Sequence, residues 1–275
     1  MDPKKTTSTA ATAAKRALRA AHKSAAPPAG SGAHGEHWVT MSTALTRAAH
    51  CLTLSEKRIV AMAIGLIDSK KRRPIATSIS DVPVTRITAS EYAETFDVDI
   101  DTAYNQLEDA SKNLYQRSIT YFEPSHIRKS AAMATVRMRW IGAVKYQKGE
   151  GWIELQWWPQ TFRELTNLRQ NFSSYQLRQA SALRSVYSWK LLELLNRFKS
   201  TGWAEYTIED FSESMEATPK QRANFAMIER DIIKQAIKEL TEKDNWIIKL
   251  TKIKAGRRVA RLRFDFERNP QMQLI

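Results

Sequence analysis

The chain carries one local pattern twice, and this duplication constrains its fold more than any other feature. Each copy has an apolar helix, a short helix that opens with Thr-x-x-acid, a longer amphipathic helix and a pair of strands. These elements are predicted at residues 54–67, 88–91, 100–115, 136–140 and 152–158 in the first copy, and at 186–198, 207–210, 225–240, 246–253 and 259–266 in the second. Three helices followed by a hairpin are the layout of the winged helix, a helix-turn-helix variant that places one helix in the DNA major groove. The sequence therefore predicts an α+β protein with two tandem winged-helix domains.

Three regions follow from this pattern. Residues 1–37 are predicted to form an Ala- and Lys-rich arm, residues 38–170 the N-terminal winged helix, and residues 171–275 the C-terminal winged helix. The connection between the two winged helices is placed in residues 167–183, a polar stretch with few apolar positions.

The arm is basic and poor in apolar side chains. Residues 1–36 contain six basic residues against two acidic ones, which gives a net charge of +4. Such a segment cannot bury enough apolar surface to offset the entropy of ordering it, so we expect a disordered basic arm. An organelle transit peptide has a similar composition and stays an alternative.

The whole chain is strongly basic. Its 43 Lys and Arg residues outnumber its 29 Asp and Glu residues, and the net charge is +14. An excess of this size favours a polyanionic partner, because cationic side chains neutralise phosphates and release their counterions. We therefore expect the protein to bind nucleic acid.

Cysteine content and apolar patterning restrict the function further. Cys51 is the only cysteine, which excludes an intrachain disulfide and a Cys-rich zinc cluster. Charged residues interrupt every apolar stretch before it reaches the roughly 18 residues that a membrane span requires. We expect no membrane contact and a cytoplasmic location.

The third predicted helix of the first copy is a poor candidate for reading DNA. Acidic residues that would repel phosphates crowd its start and its outer face: Asp97, Asp99, Asp101, Glu108 and Asp109. The strands after it are rich in tryptophan, and we expect these side chains to form sheet core: Trp152, Trp157 and Trp158.

The corresponding helix of the second copy is the predicted DNA-reading helix. Phe225, Ile228, Ile232, Ala236 and Leu240 share one face at helical spacing. Its start and opposite face are basic and polar, with the candidate DNA-binding residues Lys220, Arg222, Asn224, Arg230 and Lys234. Cations and free backbone N–H groups at a helix start suit entry into a DNA groove. The helical wheel places Glu229 near the apolar side, and the pattern does not account for an acid there.

The predicted hairpin after this helix concentrates positive charge. Seven Lys or Arg residues occur between positions 249 and 263, and Asp265 is the one acid of the stretch. Leu262, Phe264 and Phe266 alternate inward, so the residues between them project from the opposite sheet face. Residues 254–258 form the predicted wing tip, suited to the phosphate backbone or a minor groove. The candidate DNA-binding residues here are Lys252, Lys254, Arg257, Arg258, Arg261 and Arg263.

Several of these segments resemble one known family. The run Thr43-Ala44-Leu45-Thr46-Arg47-Ala48-Ala49, followed by Leu52 and Ser55-Glu56-Lys57-Arg58, is similar to the opening of the plasmid replication initiators that bind iterons, the tandem winged-helix Rep proteins. The family's second-domain landmarks are similar to Tyr187-Ser188-Trp189-Lys190-Leu191-Leu192-Glu193-Leu194-Leu195, to Ala236-Ile237-Lys238-Glu239-Leu240 and to Lys254-Ala255-Gly256-Arg257-Arg258. The resemblance covers residues 43–268.

This resemblance implies a function. A C-terminal winged helix would read repeated double-stranded sites (iterons) at a plasmid origin, while the N-terminal one would mediate dimerisation and add DNA contacts. Monomers would initiate replication, and dimers would repress the initiator's own promoter at an operator inverted repeat. Implied partners are the host chromosomal initiator and the replicative helicase, and the implied location is the bacterial nucleoid or plasmid. Glu229 and Asp231 depart from the family, whose reading helices are often more basic.

Enzymatic alternatives lack the motifs they need. None of the nine glycines is followed by Lys, so no phosphate-binding loop of the Gly-Lys-Ser/Thr type is present. The five histidines offer no pair flanking an apolar residue, which a metal-dependent nicking initiator requires. We expect no catalysis, no metal and no cofactor. The open alternatives are a winged-helix transcriptional repressor without a replication role and an adaptor whose winged helices bind protein.

Overall fold

The computed structural model describes residues 34–69, 71, 74–124 and 133–269. Most of the predicted arm, residues 1–33, lies outside these described residues. Residues 34–36 form a short 3-10 turn, and Glu36 accepts a hydrogen bond from Arg178 at 2.9 Å.

The N-terminal half contains the predicted winged helix together with further helices and strands. Its elements are β1 (Trp38–Ser42), α1 (Thr43–Arg47), α2 (Leu54–Gly65), β2 (Val84–Thr88), α3 (Ala89–Phe96), α4 (Ile100–Asn113), β3 (Ser118–Pro124), β4 (Met133–Arg139), β5 (Ile141–Tyr146), β6 (Trp152–Trp157) and α5 (Pro159–Arg163). The three main helices are α2, α3 and α4, and the sheet order is β2-β6-β5. This is the winged-helix arrangement, in which the strand after the first helix pairs with the last strand of the wing.

Local capping sets the start of each main helix. Thr53 and Glu56 form a complete capping box at α2, and Thr88 and Glu91 form another at α3. Asp99 caps α4 by accepting a hydrogen bond from the Thr102 N–H at 2.8 Å. These side chains satisfy backbone N–H groups that have no partner inside the helix. The helix starts predicted from these residues are confirmed.

The predicted wing of this half needs a correction. The predicted strand 136–140 lies largely in β4, but β4 pairs with β3 and forms a separate two-stranded ribbon. The wing is β5 and β6, which pair around a turn where Gly149 and Gly151 adopt positive φ of 92° and 68°. The fully buried Trp140 separates β4 from β5. An alternating pattern identifies a strand but not its pairing partner. The predicted pairing of residues 136–140 with residues 152–158 was therefore wrong.

The C-terminal half repeats the arrangement. Its elements are β7 (Phe172–Gln176), α6 (Arg178–Ser181), α7 (Val186–Asn196), β8 (Trp203–Thr207), α8 (Ile208–Ser214), α9 (Pro219–Arg222), the helix α10 at residues 225–244, β9 (Trp246–Ala255) and β10 (Arg258–Arg268). The sheet order β8-β10-β9 matches that of the first half. Phe211 of α8 stacks on Phe264 of β10 with ring centroids 5.5 Å apart, at the centre of the core. The prediction of two tandem winged helices is confirmed.

A strand pair links the two halves. β1 pairs antiparallel with β7 from Trp38 opposite Gln176 to Ser42 opposite Phe172. The pairing crosses the boundary predicted between residues 170 and 171, and that boundary stays a prediction.

Buried polar side chains also join the halves, through α7. The Lys57 ammonium lies 2.8 Å from the Glu193 carboxylate, and Tyr175 donates to the second carboxylate oxygen at 2.9 Å. Lys190 lies 2.7 Å from Glu216, which also accepts the backbone N–H of His50 at 2.9 Å. Although burial alone raises it, the Lys190 charge holds the pKa of Glu216 below its usual value. These contacts fix α7 against both winged helices.

None of the helices in the described part of the chain has the length and apolar character that crossing a membrane demands.

Candidate nucleic-acid interface

The start of α10 is exposed and well defined. Asn224 caps it by accepting the Ala226 N–H at 3.0 Å, and its position just before the helix agrees with the sequence prediction. Just before it, α9 is fixed by a capping box between Thr218 and Gln221. Arg222 of α9 donates to the Ala217 carbonyl oxygen at 2.8 Å. The start of α10 is therefore held by its own local hydrogen bonds and is open to a partner.

A π-helical segment interrupts α10. The helix runs as Phe225–Met227, then π-helical Ile228–Lys234, then Gln235–Asp244. Ile232 and Ile233 are both buried, while Arg230 and Lys234 are exposed. The wider turn shifts the faces relative to a regular wheel, so a regular wheel does not describe the surroundings of Glu229. Such segments occur frequently at functional sites.

Glu229 has a partner on the neighbouring strand. Its carboxylate lies 3.1 Å from the Lys252 ammonium of β9. Lys252 lies opposite the buried Leu262 in the β9–β10 register, so it occupies the sheet face that packs on α10. The pair therefore connects α10 to the wing, and it partly neutralises one candidate DNA-binding residue.

Arg230 is paired with its neighbour Asp231. Nε and Nη2 of Arg230 contact the two carboxylate oxygens at 2.5 and 3.1 Å. This hydrogen bonding lowers the pKa of the Asp231 carboxyl and raises that of the Arg230 guanidinium. Both groups are therefore ionised at neutral pH.

Arg261 and Arg263 lie on the opposite sheet face. They alternate with the buried Leu262 and Phe264, so they point away from α10. Arg261 pairs with Glu205 at 2.8 Å, and Arg263 pairs with Asp265 at 2.9 Å. The structure does not bring these two predicted residues together with the reading helix, because strand alternation sends them to the far face.

The wing tip is the most open cationic part of this half. Gly256 adopts a φ of 62° at the turn, and a side chain there would meet no atom within 4 Å. Lys254, Arg257 and Arg258 are exposed around it and make no ion pair within the described residues. Lys220 and Lys234 are likewise exposed and make no ion pair within the described part of the chain. Cations without an acidic neighbour are the ones available to phosphates.

The N-terminal half carries a mixed-charge cluster that the sequence analysis did not predict, in which Arg86 and Lys145 both approach the Glu154 carboxylate, at 2.6 and 3.8 Å. Trp152 is only half-buried on the outer sheet face, with the Arg86 guanidinium 4.5 Å and the Lys145 ammonium 5.5 Å from its ring centroid. The prediction that Trp152 belongs to the core is wrong, whereas Trp157 is fully buried as predicted. Trp152 and Trp157 stand at an odd spacing on β6 and therefore face opposite ways. The alternation of side chains along β6 could therefore have shown that only one of these two tryptophans faces the core.

Two models of one protein family match the chain. The family model described as "Initiator Replication protein, WH1" matches residues 38–196, and the model "Initiator Rep protein, WH2" matches residues 207–266. The WH1 match thus extends beyond the predicted boundary at residue 170. An Escherichia coli relative, named only as an uncharacterized 27.6 kDa protein, is 24% identical over 210 residues, which are 74% of this chain and 85% of the relative.

One solved structure shares the fold over most of the chain. It is described as the crystal structure of the Pi initiator protein in complex with iteron DNA. The TM-score is 0.69 at 20% identity, and the match covers 86% of this chain and 99% of the other. At this identity the likeness establishes the common fold of the two chains.

Proposed function

Because the chain belongs to the initiator replication protein family, with its WH1 and WH2 regions in order, we propose that it initiates plasmid replication by binding repeated origin sites, or iterons, through its winged helices. The solved relative with the same fold is described in complex with iteron DNA. The protein would act without catalysis of its own, in the bacterial cytoplasm where its DNA is.

One observation carries the proposal: α10, the segment just before it and the wing tip offer exposed cations that no acidic neighbour neutralises within the described residues. Lys220 lies just before α10 and Lys234 near its middle, and Lys254, Arg257 and Arg258 surround the wing tip. A helix that enters the major groove beside a wing on the phosphates or minor groove is the usual binding mode of this fold.

The remaining parts of the proposal rest on the family resemblance. The N-terminal winged helix would dimerise the protein and add auxiliary DNA contacts, and dimers would repress the initiator's own promoter at an inverted repeat. Bound monomers would recruit the host initiator and the replicative helicase. The exposed acids at the start of α4 support a non-reading role for this half, since Asp97 and Asp99 would repel phosphates there.

A replication assay tests the proposal. A selectable circle that carries the DNA flanking the gene is introduced into a host that supplies the protein from a second replicon. We expect stable transformants with the wild-type protein and protection of short direct repeats in footprints.

The matched variants differ only in where positive charge is lost. Replacing Lys254, Arg257 and Arg258 by Ala should abolish transformants, because three phosphate anchors are lost. Replacing the exposed Lys71, Lys199 and Lys243 by Ala removes the same charge elsewhere and should leave replication intact. Protection of a lone inverted repeat with no replication would contradict initiation and identify a transcriptional repressor.

A further inference from the structure

The predicted reading helix carries two acids, Glu229 and Asp231, although acids on a DNA-binding surface repel phosphates. Glu229 and Asp231 are two positions apart and differ in what they contact. Glu229 is half-buried and bound to Lys252 of the wing, so its charge is used inside the protein. Asp231 is bound to Arg230, whose side chain is 71% exposed on the outward face. The second pair therefore lies on the surface that would face base edges if α10 enters the major groove.

The geometry of the Arg230–Asp231 pair leaves one edge of the guanidinium free. The carboxylate occupies Nε and one hydrogen of Nη2 in a side-on contact. Both hydrogens of Nη1 and the second hydrogen of Nη2 remain available, because an Arg side chain carries donors on all three nitrogens. One hydrogen of Nη1 and the second hydrogen of Nη2 form the end-on edge, which donates in a fork to two acceptors at once.

The pair has little value for stability, which points to another role. An ion pair between exposed side chains is screened by water and contributes little to folding. In the structure its two hydrogen bonds favour one orientation of the long Arg230 side chain before any ligand arrives. Restricting a side chain in advance reduces the entropy that binding would otherwise cost.

We infer that Arg230 and Asp231 act as one unit that reads guanine, with Arg230 donating end-on to the base and Asp231 positioning the guanidinium. Guanine alone presents two acceptors, O6 and N7, on its major-groove edge, and Arg is their commonest partner. The negative charge of Asp231 also disfavours capture of Arg230 by a phosphate. This inference rests on the proposed function, since it requires α10 to enter the major groove.

The experiment compares two variants of the full-length protein that lose the same charge from the same helix. Asp231→Asn removes the positioning carboxylate, and Glu229→Gln is the matched control. The probes are duplexes enriched by the wild-type protein from a pool with a randomised centre, followed by every single-base variant of the enriched sequence. Unchanged thermal midpoints establish that both variants fold.

For Asp231→Asn we expect discrimination in favour of guanine at one position to fall about three- to ten-fold, a part of the full value of such a contact. Asp231→Glu should restore part of it. Glu229→Gln should change affinity for all duplexes alike and leave base preference unchanged. Adding Asp231→Asn to Arg230→Ala should have no further effect on preference, because the two residues act together.

Equal effects of Asp231→Asn and Glu229→Gln on every duplex would overturn the inference while leaving the proposed function intact. So would a loss of preference at a position where the wild-type protein does not select guanine. A wild-type protein that enriches no sequence at all would instead overturn the proposed function, and the inference with it.

Discussion

Lys57 of α2 and Glu193 of α7 form an ion pair of 2.8 Å whose side chains are only 2% and 0% exposed. Burial lowers the pKa of the Lys57 ammonium, and the charge of Glu193 opposes this effect. Tyr175 donates to the other carboxylate oxygen, and Trp189 donates to the Tyr175 hydroxyl at 2.8 Å. The pair is tolerated inside the protein because its polar atoms are satisfied.

Glu193→Gln should strongly destabilise the protein, because it leaves the buried Lys57 charge without a counter-charge. We expect a loss of about 3 to 5 kcal/mol in the free energy of unfolding, measured by urea denaturation at neutral pH. Arg47→Gln is the control, since the Arg47–Asp210 pair is 42% and 47% exposed and should cost at most about 1 kcal/mol. Equal losses in the two variants would contradict the importance of burial.

His50 should make stability fall as the solution becomes acidic. Burial, together with the charges of Lys190 and Lys57, holds the pKa of His50 well below its usual 6.5, so the folded state keeps the ring neutral. The unfolded chain takes up the proton near pH 6.5, and the folded state does not. Stability is therefore complete above pH 6.5 and decreases below it, by up to about 1.4 kcal/mol per pH unit.

Denaturant titrations between neutral pH and mildly acidic pH measure this slope. His50→Gln should flatten it, because the titrating group is gone. His37 needs its own control, His37→Gln, because burial also lowers the pKa of that ring. A slope that His50→Gln leaves unchanged would assign the acid sensitivity to other groups.

Arg230→Ala and Arg257→Ala should separate base reading from phosphate anchoring. Arg230→Ala should cost about 1 to 3 kcal/mol on the preferred repeat and relax preference at one base position, with little change on random DNA. Arg257→Ala should weaken binding to all sequences alike, because Arg257 lies at the wing tip, which suits contact with phosphates and not with base edges. Binding to single-base variants of the repeat checks both, and an unaltered preference profile for Arg230→Ala would remove this residue from the reading set.

Binding should depend steeply on salt, and the N-terminal arm should contribute to that dependence without affecting sequence preference. With roughly six to ten phosphate contacts, affinity should fall by about 10³ to 10⁵ between about 50 and 200 mM salt. Deleting residues 1–33, which carry six basic residues and one acidic residue, should weaken binding and flatten the slope. Fluorescence anisotropy across a salt series measures both, and a changed target sequence would contradict a non-specific arm.

The parts of the fold that could be predicted are those encoded locally. Thr53 with Glu56 and Thr88 with Glu91 mark helix starts by chemistry within one turn. Amphipathic spacing then gave the helices and their buried faces. The exposed cations of the wing tip followed from a turn between two alternating strands.

The parts that could not be predicted depend on residues far apart in sequence. Nothing near β4 specifies β3 as its partner, and nothing near β1 specifies β7. The pairing of Glu229 with Lys252 needs the wing folded against α10. The sequence could therefore indicate which segments hold the candidate DNA-binding cations. Which of these cations have an acidic partner could be seen only in the structure.

During synthesis, β1 has no pairing partner until the ribosome has made β7. Thr40 and Ser174 bond through their side-chain oxygens although they are 134 positions apart. At roughly 5 to 20 residues per second, a ribosome needs about 7 to 27 s to travel from one to the other. For that interval β1 has no strand beside it, and an unpaired edge is a template for aggregation. Slow translation or crowded polysomes would lengthen the exposure, so the yield of native protein should respond to codon choice between these strands.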